Sequence, residues 1–195
     1  MKKFKIFSNV LNEEKWLNEQ LEAGYKCINI SGYGSYSFEP ADKKHVIRLD
    51  YQGYLSSEKF NEYKAIYEDF GWVHVKGSRL SGLHYWQKEN DGQTEIFSDN
   101  QSLSNYYKRL MNYASSTAVL FLVFIFTLYN ENSIQINSIY LTPGLWGMEG
   151  KAFWFAFLFE TPFAIFRIIP PFLFVACAII YINSYISYKR IKKLL

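Results

Sequence analysis

The chain has 195 residues, 49% of them hydrophobic and 19% aromatic, with 21 Lys and Arg against 18 Asp and Glu. Met1 to Tyr113 holds 15 basic and 15 acidic residues, so the formal charge of +3 comes from the remainder. A neutral front half argues against nucleic-acid binding, which usually needs a basic patch, and two cysteines in unlike surroundings, Cys27 and Cys177, exclude a disulfide framework. Buried free thiols suit a reducing cytoplasm.

The basic start, Met-Lys-Lys-Phe-Lys, resembles a signal-peptide n-region, but Glu13, Glu14 and Lys15 follow before any apolar core can form. No export signal is expected. Lys3–Phe7 reads as a short strand. Asn12 then reads as a helix cap with Glu13 and Glu14 in the first turn. Val10, Trp16, Leu17 and Leu21 supply an apolar face, and Gly24 ends the helix. Tyr25–Ile30 and Tyr33–Phe38 follow as a hairpin turning at Ser31-Gly32.

The pattern then recurs. His45–Tyr51 reads as a strand, and Ser56 or Ser57 caps a helix carrying Phe60, Tyr63, Ile66, Tyr67 and Phe70 at helical spacing. Gly71 ends it, and Trp72–Lys76 with Leu83–Gln87 forms a second hairpin. An offset of 47 residues aligns Trp16 with Tyr63, Gly24 with Gly71, Tyr25 with Trp72 and Phe38 with Tyr85. The expected fold is an α+β domain: a duplicated strand–helix–strand–strand unit, forming an antiparallel sheet with both helices on one face. In topology this is similar to bacterial effector-binding domains of the gyrase-inhibitor-like type, which hold hydrophobic ligands between their repeats. Fold alone does not carry function.

Two uncharged stretches dominate the second half. Tyr113–Tyr129, 17 residues long, reaches roughly 25 Å as a helix, and Ile168–Ile186 has 19 residues. Lys108 and Arg109 precede the first, and Lys189, Arg190, Lys192 and Lys193 follow the second. The stretch from Asn130 to Gly150 has Glu131 and Glu149 but no Lys or Arg. The positive-inside bias therefore predicts a multi-pass protein of the cell membrane with both termini cytoplasmic. Tyr106, Tyr107, Tyr113, Tyr129, Tyr181, Tyr185 and Tyr188 are expected at the membrane boundaries.

The predicted division is a cytoplasmic domain over 1–97, a juxtamembrane helix over 98–112, spans over 113–129 and 168–188, and a basic tail over 189–195. Between the spans, 130–167 is expected to be an extracytoplasmic loop with an interfacial aromatic segment. Phe153–Ile182 as one long kinked helix, with Glu160 and Arg167 facing a partner, is the alternative. Arg167 is expected to snorkel to the outer interface, and Pro170-Pro171 to bend the entry to the last helix.

Candidate chemistry is sparse. His74 and His84 lie on facing strands of one hairpin, but no third ligand accompanies them at metal-binding spacing. Asp50 and Glu39 form a carboxylate pair only if their strands adjoin. Gly32-Tyr-Gly34 lacks the Lys and following helix of a phosphate loop. Residues 1–113 contain 20 aromatic residues. They build either a core of large side chains or a cleft for an apolar or cationic ligand, with Trp16, Tyr36, Tyr51, Tyr63, Trp72 and Tyr85 as its candidates. No enzyme activity, metal or cofactor is expected.

Glu14-Lys-Trp-Leu-Asn-Glu19, Gly24-Tyr25, Tyr36-Ser-Phe-Glu39, Asp50-Tyr51, Phe70-Gly-Trp72, Tyr85-Trp86 and Glu95-Ile-Phe-Ser-Asp99 occur in this order. Over residues 1–100 the set resembles a bacterial family of uncharacterised membrane proteins, classed as a domain of unknown function. Its members are often encoded beside PadR-type repressors. The resemblance implies a cytoplasmic module followed by membrane helices and supplies no site residues. The expected function is sensory or regulatory binding of a small apolar ligand or a partner. The alternative is an accessory subunit of a larger membrane complex such as a transporter.

Overall fold

The computed structural model describes residues 1–32, 34–80, 82–130 and 139–195. Tyr33 and Glu131, used above in a strand and a loop, lie outside the described residues. Two compact units are present: Met1–Asn112 together with Ile186–Leu195, and Tyr113–Tyr185.

The first unit is α+β. Its elements in chain order are β1 (Lys2–Phe4), α1 (Val10–Glu22), β2 (Tyr25–Ile30), β3 (Ser35–Pro40), β4 (His45–Gln52), α2 (Ser57–Asp69), β5 (Val73–Lys76) and β6 (Gly82–Glu89). The strands form two antiparallel three-stranded sheets, ordered β1-β3-β2 and β4-β6-β5.

Asn9, not Asn12, caps α1: its extended backbone lets the side chain accept from the Leu11 N–H at 2.9 Å. Starting there places Val10, Glu13, Leu17 and Leu21 on one inward stripe, which a start at Asn12 would shorten by a turn. Leu17 and Leu21 are wholly buried, each worth about 2 kcal/mol. Gly24 and Gly71 sit at φ of 91° and 80°, left-handed positions that end α1 and α2 at little steric cost. Ser56 caps α2, accepting from the Lys59 N–H at 3.3 Å.

The arrangement departs from one sheet with both helices on one face. On the central strand β6, Tyr85 donates to Glu13 of α1 while the next residue, Trp86, donates to Tyr63 of α2. Neighbouring strand residues point to opposite faces, so the two helices lie on opposite faces of β6. The edges are closed by side chains. Asn18 bonds both the N–H and the carbonyl of Ile47, and Glu14 accepts from the Leu49 N–H at 2.8 Å, sealing β4. On β2, Cys27 N–H donates to the Gln87 side chain at 2.8 Å. Unpaired strand edges invite association; here polar side chains occupy their hydrogen-bonding groups, and a single sheet does not form.

Residues 186–195 belong to this unit because Tyr188, 1% exposed, accepts the Val10 N–H at 3.0 Å. That N–H opens α1 and has no helical partner of its own. Tyr188→Phe leaves it buried and unpaired, so the unit should lose about 1–3 kcal/mol, read as a lower denaturant midpoint. An unchanged midpoint would mean that another acceptor replaces the phenol. Tyr106 and Tyr107 are likewise buried in this unit with Leu110. Three of the tyrosines expected at a membrane boundary are thus buried in this unit.

The second unit is built from α3 (Asn100–Asn130) and α4 (Gly150–Lys192), of which it holds the parts within Tyr113–Tyr185. Tyr113 meets Tyr181, and Phe121 and Phe124 meet Phe174, so these stretches run antiparallel. Ala114, Ala118 and Ala178 are buried, small residues that let helices approach closely. Both helices are long and apolar enough to cross a membrane.

The segment expected to be a loop with an interfacial stretch up to 167 is helical from Gly150 and continues unbroken through Pro162, Pro170 and Pro171. The Arg167 Nη1 donates to Glu160 Oε1 and to the Ile139 carbonyl, each at 2.6 Å. Glu160 also accepts from Thr142 at 2.8 Å. A pair about two helical turns apart thus binds the chain that precedes α4, each charge partnering the other.

Candidate functional site

Asp50, on β4, is a carboxylate of the first unit without solvent exposure. A carboxylate there needs partners, and three elements supply them. Arg109 of α3 donates from Nη2 to Oδ1 at 2.8 Å; Tyr63 of α2 and Gln52 of β4 donate to Oδ2 at 3.1 and 2.6 Å. The Arg109 Nε donates in turn to the Tyr51 carbonyl at 2.7 Å. Tyr63 accepts from the Trp86 indole at 2.9 Å, which ties the network to the apolar cluster of Val46, Trp72 and Trp86. Burial, then the Asp50 charge, pushes the Tyr63 phenol far up, so it acts as a neutral donor. Arg109 therefore tethers α3 to β4, whereas Lys108 beside it is exposed.

A cleft of about 650 Å³ opens next to this network. Helix α2 lends it Ile66 and Tyr67, its C-cap Phe70, the 92–98 segment Ile96 and Phe97, and α3 Ser102, Asn105 and Arg109. Trp72 and Lys88 complete it, the Lys88 ammonium lying 5.1 Å from the Trp72 ring centroid and paired with Asp91 at 3.0 Å. Helix α2 buries none of its residues; Ile66 and Phe70 are 57% and 71% exposed. An amphipathic helix normally covers that face, and here it borders an open groove.

The six aromatic residues singled out from the sequence do not converge. Tyr36 and Tyr85 each donate to Glu13 Oε1 at 2.7 Å, and Trp16 packs on Tyr36 with ring centroids 5.0 Å apart. Glu13, 6% exposed, thus joins α1 to one strand of each sheet. Burial raises its pKa above the usual carboxylate range, opposed by the two phenol bonds. Tyr63 serves Asp50, the Tyr51 carbonyl accepts from Arg109, and of the six Trp72 alone borders the cleft. Tyr67, Ile96, Phe97 and Asn105 were missed. Tyr67 and Phe70 were legible as the apolar face of α2, but that face reads the same whether it is covered or open.

Glu39 and Asp50 fall in different sheets, and Glu39 faces Lys26 at 3.8 Å, so no carboxylate pair exists. His74 Nε2 and His84 Nδ1 do meet, at 3.2 Å. Burial, with His84 and Lys64 nearby, holds His74 down to about 4, and burial also lowers His84. At neutral pH both rings are neutral and share one hydrogen bond. Gly77 packs so closely that a Cβ there would collide with His84 Nδ1. Among the described residues no group of three or more metal-ligating side chains exists. Burial pushes the Cys27 thiol up to about 12, leaving it un-ionised.

Fold and site together define an α+β module with an aromatic cleft, continuous in sequence with two long apolar helices. Residues 9–119 match the model of a family described as a protein of unknown function, DUF2812, and the chain belongs to that family. No curated protein and no solved structure matches it.

Proposed function

We propose that this is a two-span protein of the cell membrane whose amino-terminal domain lies in the cytoplasm and works as a sensor or regulatory adaptor. The domain binds a small apolar ligand or a partner in the cleft, and the bound state biases the membrane helices. One observation carries this reading: Ser102, Asn105 and Arg109, which border the cleft, sit on the helix that continues into the apolar stretch from Tyr113. Occupancy bears directly on the tether between α3 and the buried Asp50.

Other features support the frame. Helix α1 at 10–22 falls on α2 at 57–69 under the 47-residue offset, and both sheets place their third strand in the middle. We read this as a duplicated strand–helix–strand–strand unit whose second copy opened a face for binding. Helix α4, 43 residues long, measures about 65 Å, against a hydrocarbon core of about 30 Å, so both its ends stand outside the hydrocarbon. Lys189, Arg190, Lys192 and Lys193 at its end favour a cytoplasmic carboxyl terminus. A neighbouring PadR-type repressor gene, as the family resemblance implies, suits a regulatory role.

Affinity purification from native membranes, beside a form lacking residues 1–100, tests the assignment. A sensor should lose its partner, or its ligand-dependent stabilisation, with the domain. A stoichiometric partner retained by the helices alone would make the protein an accessory subunit of a membrane complex.

A further inference from the structure

We infer that the cleft is built for an apolar acid: a ligand with a flat or acyl hydrocarbon body and one carboxylate, read by Arg109. This rests on the cleft being the ligand site. The body of such a ligand has its counterpart in Tyr67, Phe70, Ile96 and Phe97. Flat aromatic walls favour ring or chain stacking. A purely apolar molecule would leave the polar end of the groove unused.

The acid group is argued from the guanidinium. Asp50 takes Nη2 and the Tyr51 carbonyl takes Nε, so the two tethers occupy two of the three guanidinium nitrogens. Nη1 is engaged by neither, and Arg109, with its side chain 31% exposed, borders the cleft. A guanidinium has a fixed planar fork of five donors and binds carboxylates with directional, charge-assisted bonds. Here the fork is held in place by Asp50 and Tyr51, which lowers the ordering cost of binding. The other cation at the cleft, Lys88, is already committed to Asp91 and the Trp72 face. Glu95 is committed to Arg48 at 3.1 Å. Asn105, one turn before Arg109 on α3, offers a neutral amide beside the acid position.

The same geometry has a regulatory consequence. A ligand carboxylate on Nη1 shares the guanidinium that holds α3 to Asp50, so occupancy of the cleft and the tether are coupled through one group.

The test uses the full-length protein in lipid nanodiscs, titrated calorimetrically with 2-naphthoate and its uncharged isostere 2-naphthamide, with empty discs subtracted. The acid should bind at least tenfold more tightly than the amide. Asn105→Trp, which fills the groove, should abolish binding. Ile66→Ala with Phe70→Ala, at positions exposed enough to leave the fold intact, should weaken it several-fold. Equal binding of acid and amide, both lost in Asn105→Trp, would overturn the acid assignment and leave the cleft standing. Binding that survives both sets of substitutions would overturn the cleft as well. Failure of the acid to bind at millimolar concentration overturns the inference outright.

Discussion

Arg109→Leu should destabilise the amino-terminal unit by about 3–5 kcal/mol, because it strands a fully buried carboxylate. Asp50 would keep Tyr63 and Gln52 as donors but lose the cation paired with it. Neutral hydrogen bonds do not replace a charge partner in a site without solvent. The discriminating comparison is the double variant Asp50→Asn with Arg109→Leu. It removes both charges, and its chemical-denaturation midpoint should recover much of the loss. A single variant no worse than the double would mean that Asp50 tolerates isolation, and α3 would then be held by packing around Leu110, Tyr106 and Tyr107 alone. The same pair bears on function, since release of α3 should weaken any coupling between cleft and membrane helices.

Glu13→Ala should be nearly as damaging. Tyr36 and Tyr85 would lose their shared acceptor, and both phenols are buried. Each buried donor left unmade costs about 1–3 kcal/mol, so the sum is about 2–6 kcal/mol before any cavity is counted. Glu13→Gln keeps an acceptor oxygen and should cost far less. It should also change the pH dependence. The folded pKa of Glu13 lies above its ordinary 4.5, so the folded state holds this proton more tightly than the unfolded chain. Its contribution is fully present below about pH 4.5 and is lost as pH rises through the raised value. Unfolding midpoints measured from pH 4 to 8 should therefore fall with pH in the parent by a component absent from Glu13→Gln. Parallel profiles in the two proteins would show that Glu13 does not titrate in this range.

The sequence by itself determined the local structure. The two helix-ending glycines, the Ser56 cap, the hairpins and the two apolar helices follow from short-range rules of backbone freedom, capping and periodicity, which neighbouring residues carry. Start and end points shifted where two candidates competed, as at Asn9 and Asn12, because burial of Val10 settled the matter. Membership of a helical segment at 150–167 was left open, since prolines and an ion pair break a hydropathy pattern without breaking a helix whose neighbours satisfy them.

Only the tertiary structure decided how these pieces meet. Whether two sheets merge depends on what occupies their edges, and Asn18, Glu14 and Gln87 do so from elsewhere in the chain. The role of Arg109 depends on Asp50, 59 residues away, and that of Tyr188 on Val10, 178 residues away. In the sequence, both stand beside other cations and tyrosines at a predicted membrane boundary, and nothing local separates a tether from a flank. The six aromatic residues failed as one cleft for the same reason. An aromatic side chain at helical or strand spacing marks a face, and only the fold determines whether that face is closed by protein or left open to a ligand.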